Sequence, residues 1–252
     1  MIALPTILLV GPTGVGKSTA VLRALKNNAF YVAAERGALS IARNPAIYTG
    51  PAPDVVECVT TRAPWIEVLR AVRQGCEGVR VGKYSAIVID TISSLADREY
   101  DYLVATENSG HGREWNMLAA HVRPIVNEAI AAEAIVVCVA HQKDVGEKEP
   151  KIKLPRLPGK LGEEVVPSLF DVVVRLDWGA GPNGEAVRML RCQPRPRWAD
   201  KDRHGVVIDG EVIGEDGILP LIRRCVQRAR GQAVDMPAAG AGANGAAKGL
   251  DL

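Results

Sequence analysis

The chain has 252 residues, a net charge of +2 and 47% hydrophobic side chains, with aromatics at only 4%. That length holds one large α/β domain or two small ones, with a core of Val, Ile, Leu and Ala. No apolar run approaches the roughly 20 residues a membrane span needs. Five scattered cysteines (Cys58, Cys76, Cys138, Cys192, Cys225) form no CxxC pair, which argues against a disulfide or zinc framework. No charged region precedes the first apolar stretch, so no signal peptide is expected and the cytoplasm is the expected location.

The first element is the clearest. Residues 7–10 form a short apolar run suited to a buried strand, and residues 19–25 read as the start of a helix. Between them lies Gly11-Pro12-Thr13-Gly14-Val15-Gly16-Lys17-Ser18, which fits the P-loop pattern GxxxxGK[ST]. The glycines let the backbone curl so that successive N–H groups point at a polyphosphate. The helix N-terminus, with Thr19 in its first turn, adds positive potential at the same place. Lys17 is expected to reach the β- and γ-phosphates of ATP, and the Ser18 hydroxyl to bind Mg²⁺.

A second strand is expected at 30–33, followed by Glu35. A carboxylate at the C-terminal edge of a parallel sheet faces the ligand crevice and can polarise an attacking water. Spacing alone leaves open a surface Glu paired with Arg36. A third strand is expected at 55–59 and helical spacing runs through 63–74. The run 86–89 then ends in Asp90, a carboxylate placed to hold Mg²⁺, with Thr91 beside it. Helical spacing resumes over 114–132, before a strand at 135–139 that ends in His141-Gln142. A polar pair at that edge can touch a γ-phosphate and report its loss to the loop that follows. It can also be two residues simply leaving a sheet.

Residues 143–163 break the rhythm. Lys148, Lys151, Lys153, Arg156 and Lys160 stand against one acidic residue, Glu149, and Pro155, Pro158 and Gly159 predict irregular structure. A basic loop of this size suits a phosphate backbone or is a solvated surface. Strands are expected at 172–176 and 187–190. The turn signal Pro182-Asn183-Gly184 before the second predicts an antiparallel hairpin. Arg188, Arg191, Arg195, Arg197, Lys201 and Arg203 form a second basic cluster, suited to an arginine finger on a neighbouring subunit or to a DNA-binding face. Arg223, Arg224, Arg228 and Arg230 read as the solvated side of a last helix. Residues 231–252, rich in Ala and Gly, read as a disordered tail after a single domain at 1–230. Strands alternating with helices predict an α/β fold, a mostly parallel twisted sheet with helices on both faces.

The order of these motifs resembles the RecA-like recombinase core over roughly residues 5–205. The resemblance implies Glu35 as catalytic glutamate, Gln142 as the allosteric glutamine and 143–163 as the second DNA-binding loop. Arg191 lies where such proteins place a cation that acts in trans, while Gln193 stands where a second would be expected. Within that superfamily the chain most resembles compact phage ATPases of the Sak type. The signs are its size, Leu157-Pro158-Gly159-Lys160 before Phe170-Asp171, and Lys201-Asp202-Arg203-His204-Gly205. The resemblance implies an ATPase that binds single-stranded DNA, is stimulated by it, and supports phage-type homologous recombination or strand annealing. It also implies a homo-oligomer (ring or filament), with a single-strand-binding protein as a candidate partner and no membrane. A hexameric helicase or DNA motor on the same core, and a binding module with structural ATP, are the alternatives. A small-molecule kinase fits less well, because no lid-like Arg cluster follows Asp90.

Overall fold

The run after Pro5 becomes β1 (Thr6–Gly11), with every residue buried. In the computed structural model, residues 4–106, 113–146, 151–158, 160–193 and 199–236 are described. The chain continues through α1 (Lys17–Leu25), β2 (Ala29–Ala33), α2 (Ala38–Ala42), β3 (Asp54–Glu57), α3 (Pro64–Arg80) and β4 (Ala86–Asp90). Next come α4 (Ile92–Thr106), α5 (Arg113–Ile130), β5 (Ile135–Val145) and β6 (Ile152–Pro155). A π-helical turn at Leu161–Val165 leads into α6 (Val166–Ser168), then β7 (Val172–Ala180), β8 (Ala186–Arg191), β9 (Lys201–Asp202) and α7 (Leu219–Ala229).

The strands order as β3-β2-β4-β5-β1-β7-β8, with β6 added to β5 and β9 to β7. From β3 through β7 every neighbour on that path is parallel. The pairs β7–β8, β5–β6 and β7–β9 are antiparallel, as is an isolated bridge between Met189 and Val212. The predicted hairpin at the C-terminal side is therefore present, and Gly184 in its turn has a φ of 82°.

Both faces of the sheet are buried. Leu8, Val10, Phe30, Val32, Ile87, Ile89, Val136 and Cys138 meet one set of helices on one face. Those helices contribute Val68 and Val72 from α3, Leu95 and Leu103 from α4, and Leu118, Val122 and Ile125 from α5. The three- and four-residue spacing gives each helix one apolar stripe. Ile7, Leu9, Tyr31, Val88, Val137 and Val174 face the other way, onto Val21, Leu22 and Leu25 of α1 and Leu221, Ile222 and Cys225 of α7. One buried carboxylate ties the first layer together. Glu99 accepts from the Trp65 N–H at 3.1 Å and lies 2.8 Å from His121 Nδ1, linking α3, α4 and α5.

Two expectations are corrected. The stretch 143–163 is not irregular throughout. β5 runs on to Val145, and β6 returns antiparallel, with Gln142 opposite Pro155 and Val145 opposite Ile152. Proline is accommodated because it closes the ladder at its end, where no further N–H is needed. Leu157, Leu161 and Val166 then anchor the returning chain in the core. The lysines and prolines had hidden these apolar residues. Arg224 is likewise not solvated. It is buried, donating Nε to the Val206 carbonyl at 2.8 Å and Nη1 to Glu211 at 3.0 Å. Lys148, Arg195, Arg197 and the tail beyond 236 lie outside the described residues.

Candidate nucleotide site

Parallel pairing brings the chemistry-bearing residues to one edge. Gly11 stands level with His141, and Asp90 stands level with Ala33 and Val139. All are at the carboxyl ends of parallel strands, the edge where open α/β sheets bind ligands.

The loop after β1 is shaped by its glycines. A Cβ on Gly11 would lie 2.4 Å from the Leu176 carbonyl oxygen. Gly14 and Gly16 have φ values of 81° and 90°, which side chains disfavour. Val15 is buried and pins the loop to the core. Ala20 N–H donates to Gly16 O at 2.9 Å, so the helix starts there without a side-chain cap. The backbone N–H groups of Lys17, Ser18 and Thr19 are left for an external acceptor. Lys17 itself is buried, and its Nζ donates to Gly11 O at 2.9 Å and Pro12 O at 2.8 Å. Burial lowers its pKa; Asp90 and Glu35 oppose that, and Arg156 adds to it.

Asp90 is buried at the end of β4. Burial pushes its carboxyl up to about 6, a shift that Glu35 reinforces and that Ser18, Lys17 and His141 oppose. Its Oδ1 is buried and meets no hydrogen-bond donor. An unpaired buried oxygen beside the Ser18 hydroxyl fits a divalent cation completed by phosphate and water. No cluster of three or more His, Cys, Asp or Glu capable of holding a metal alone is found among the described residues.

Glu35 is paired with His141 and not with Arg36. It lies 3.2 Å from His141 Nε2 and accepts from Ser94 Oγ at 2.7 Å and Thr91 Oγ1 at 3.4 Å. The His141 contact, followed by Ser94 and Thr91, outweighs burial and holds its carboxyl down at about 2. Arg98 of α4 fixes the backbone beneath it, donating to the carbonyls of Ala34 at 2.5 Å, Cys58 at 2.7 Å and Thr60 at 3.1 Å. Nothing in the sequence marks Arg98, because an arginine beside Asp97 in a helix reads as surface.

Of the pair His141-Gln142, where β5 passes the end of β1, His141 faces the loop. Its Nδ1 lies 3.4 Å from Thr13 Oγ1, and its backbone N–H donates to Ser93 Oγ at 3.0 Å. Gln142 follows on the same strand and so points to the opposite face. It donates to Asp144 Oδ1 at 2.7 Å, and its own Oε1 is buried without a partner. Arg191, at the end of β8, packs beside Gly179 and Gly210.

The basic segment adjoins this edge. Arg156 donates its backbone N–H to the His141 carbonyl at 2.6 Å and its guanidinium to Asp97 at 2.7 Å. Lys153 pairs with Asp177 at 3.2 Å, while Lys151 and Lys160 have exposed side chains.

Three comparisons bear on this arrangement. Residues 4–204 match a family described as AAA domain. No curated protein matches the sequence. Among solved structures, the fold is similar to that of a KaiC-like protein from the hyperthermophilic archaeon Pyrococcus horikoshii OT3. The TM-score is 0.50 at 18% identity, over 84% of this chain and 87% of that one. The expected RecA-like α/β fold is what this likeness shows.

Proposed function

The chain belongs to the AAA domain family of P-loop ATPases, and from that premise we propose that it hydrolyses ATP, binds single-stranded DNA and supports phage-type homologous recombination or strand annealing. The observation that carries the ATPase part is the convergence of Lys17, Asp90, Glu35 and His141 on one sheet edge, with Glu35 held ionised. Lys17 and the loop N–H groups hold the phosphates, exchanging the Gly11 and Pro12 carbonyls for them. Ser18 and Asp90 hold Mg²⁺, which neutralises phosphate charge when bound. Glu35 accepts the proton of the attacking water, oriented by His141, Ser94 and Thr91. Arg191 meets no carboxylate among the described residues, and we assign it to the nucleotide of a neighbouring subunit in a ring or filament.

The DNA part rests on the basic segment carrying Lys148, Lys151, Lys153, Arg156 and Lys160. Its support is the hydrogen bond from Arg156 N–H to the His141 carbonyl, which joins that segment to the residue of β5 that faces the nucleotide loop. A cationic segment of this kind neutralises phosphates without reading sequence. The deciding experiment is the ATPase rate with and without single-stranded DNA. Stimulation supports the reading. A slow rate indifferent to DNA identifies a binding module with structural ATP, and ATP-dependent unwinding of a tailed duplex identifies a DNA motor.

A further inference from the structure

Arg188 stands on β8 three residues before Arg191, so the two side chains leave opposite faces of the sheet. Leu190, on the same face as Arg188, packs in the core shared with α1. A Cβ built on Gly16 would lie 2.6 Å from Arg188 Nη1 and 3.7 Å from its Cζ. The guanidinium therefore rests against the backbone of the phosphate loop, one residue before Lys17. The φ of 90° at Gly16 favours glycine there, and the bare Cα lets the guanidinium lie this close.

This guanidinium has no hydrogen-bond acceptor or carboxylate among the described residues. Its charged neighbour is another cation, Arg23, whose Nε and Nη2 are taken by the Ile47 carbonyl. Burial, and then Arg23, lower the Arg188 pKa. A half-buried cation beside a like charge, with no counter-ion, is unfavourable until an anion arrives. The nearby helix start offers further donors with no cap of their own.

We propose that Arg188 is a phosphate-binding residue that acts in cis, gripping the nucleoside di- or triphosphate held by Lys17 of the same subunit. The inference rests on the ATP-binding reading of that loop. The backbone just before Lys17 cradles the α- and β-phosphates, which ATP and ADP share. A planar guanidinium suits their oxygens bidentately. Arg188 thereby differs from Arg191, which is left for a neighbouring subunit.

The test uses fluorescent ATP and ADP analogues titrated into wild type, Arg188→Met and Arg188→Lys, with melting curves of each apoprotein. Methionine keeps most of the stem that packs on the loop and removes the charge. Arg188→Met should weaken both nucleotides about tenfold, some 1.4 kcal/mol, while melting at or above the wild-type temperature. Arg188→Lys should recover most of the affinity. Equal affinities in wild type and Arg188→Met would overturn the proposal. So would a lower melting temperature with unchanged affinity, or a fall in kcat alone. If wild type binds neither nucleotide, the ATP-binding reading itself fails, a result separate from these.

Discussion

The carboxylate of Glu35 and the imidazole of His141 meet 3.2 Å apart, although β4 separates the strands that deliver them. The other ring nitrogen of His141 lies 3.4 Å from Thr13 Oγ1 in the phosphate loop. One imidazole thus spans from the nucleotide loop to the proposed base.

His141→Ala should leave the fold and nucleotide binding nearly intact and lower kcat. Displacing a base by a fraction of its reach costs on the order of tenfold to a hundredfold. Because His141 is the largest influence holding Glu35 near 2, the Glu35 carboxyl should also titrate at a higher pH in this variant. Carbonyl-edited NMR of the Glu side chains and single-turnover ATP hydrolysis together check both parts.

Glu35→Gln keeps the shape of the side chain and removes the base. ATP should still bind, and hydrolysis should fall on the order of 10²-fold or more. Normal turnover in this variant would place the base elsewhere.

Lys17→Ala removes the buried ammonium that bonds Gly11 O and Pro12 O. Calorimetry should show ATP affinity reduced at least tenfold, about 1.4 kcal/mol, with turnover abolished. Undiminished ATP hydrolysis would remove the P-loop from the mechanism.

The two nucleotide motifs were legible because the sequence pattern and the parallel register act together. GxxxxGK[ST] after an apolar run fixes a strand, a turn and a helix, and a carboxylate ending the run 86–89 has to emerge at the same edge. His141 against Gln142 was not legible. Which of two adjacent residues faces the ligand depends on a strand phase that spacing leaves open. Arg98 and Arg188 were invisible for a different reason. Each acts through contacts with backbone distant in sequence, Ala34 and Cys58 for one and Gly16 for the other. The hairpin at Gln142–Pro155 was masked because its lysines dominate the composition while Leu154 and Leu157 do the anchoring.

Asp90 gives a pH dependence of known sign. Its carboxyl is raised from an ordinary 3.8 to about 6 in the folded chain. Folding therefore takes up a proton between those values, and apoprotein stability falls as pH rises from 3.8 through about 6. Above that the full cost of a buried charge remains. Asp90→Asn removes it, so the variant apoprotein should melt higher than wild type at pH 8 and show no such gain near pH 3.5. Melting curves across that range decide the matter, and a lower melting temperature at pH 8 would contradict the assignment.

The last prediction concerns the basic segment. If it grips a DNA backbone, affinity for single strands should fall with salt, with a log–log slope of roughly −0.7 per phosphate neutralised. Lys151, Lys153 and Lys160 replaced by Ala should flatten that slope and weaken binding with little regard to sequence. Basal ATPase should survive, since none of the three has a role in the proposed hydrolysis, while stimulation by DNA should be lost. The ion pair between Lys153 and Asp177 adds a converse. DNA has to displace Asp177 to use Lys153, so Asp177→Asn should strengthen binding and steepen the slope. His141→Ala should leave DNA binding in place and remove the effect of ATP upon it, because His141 meets Thr13 of the nucleotide loop through its ring and Arg156 of the basic segment through its carbonyl. Fluorescence anisotropy on a labelled oligonucleotide over a salt series, with and without a non-hydrolysable ATP analogue, reads the binding outcomes, and ATP hydrolysis with and without the oligonucleotide reads the other two. An unchanged slope in the triple variant would move the DNA site to the cluster around Arg191 and Arg203. No binding by wild type at low salt would remove nucleic acid from the function.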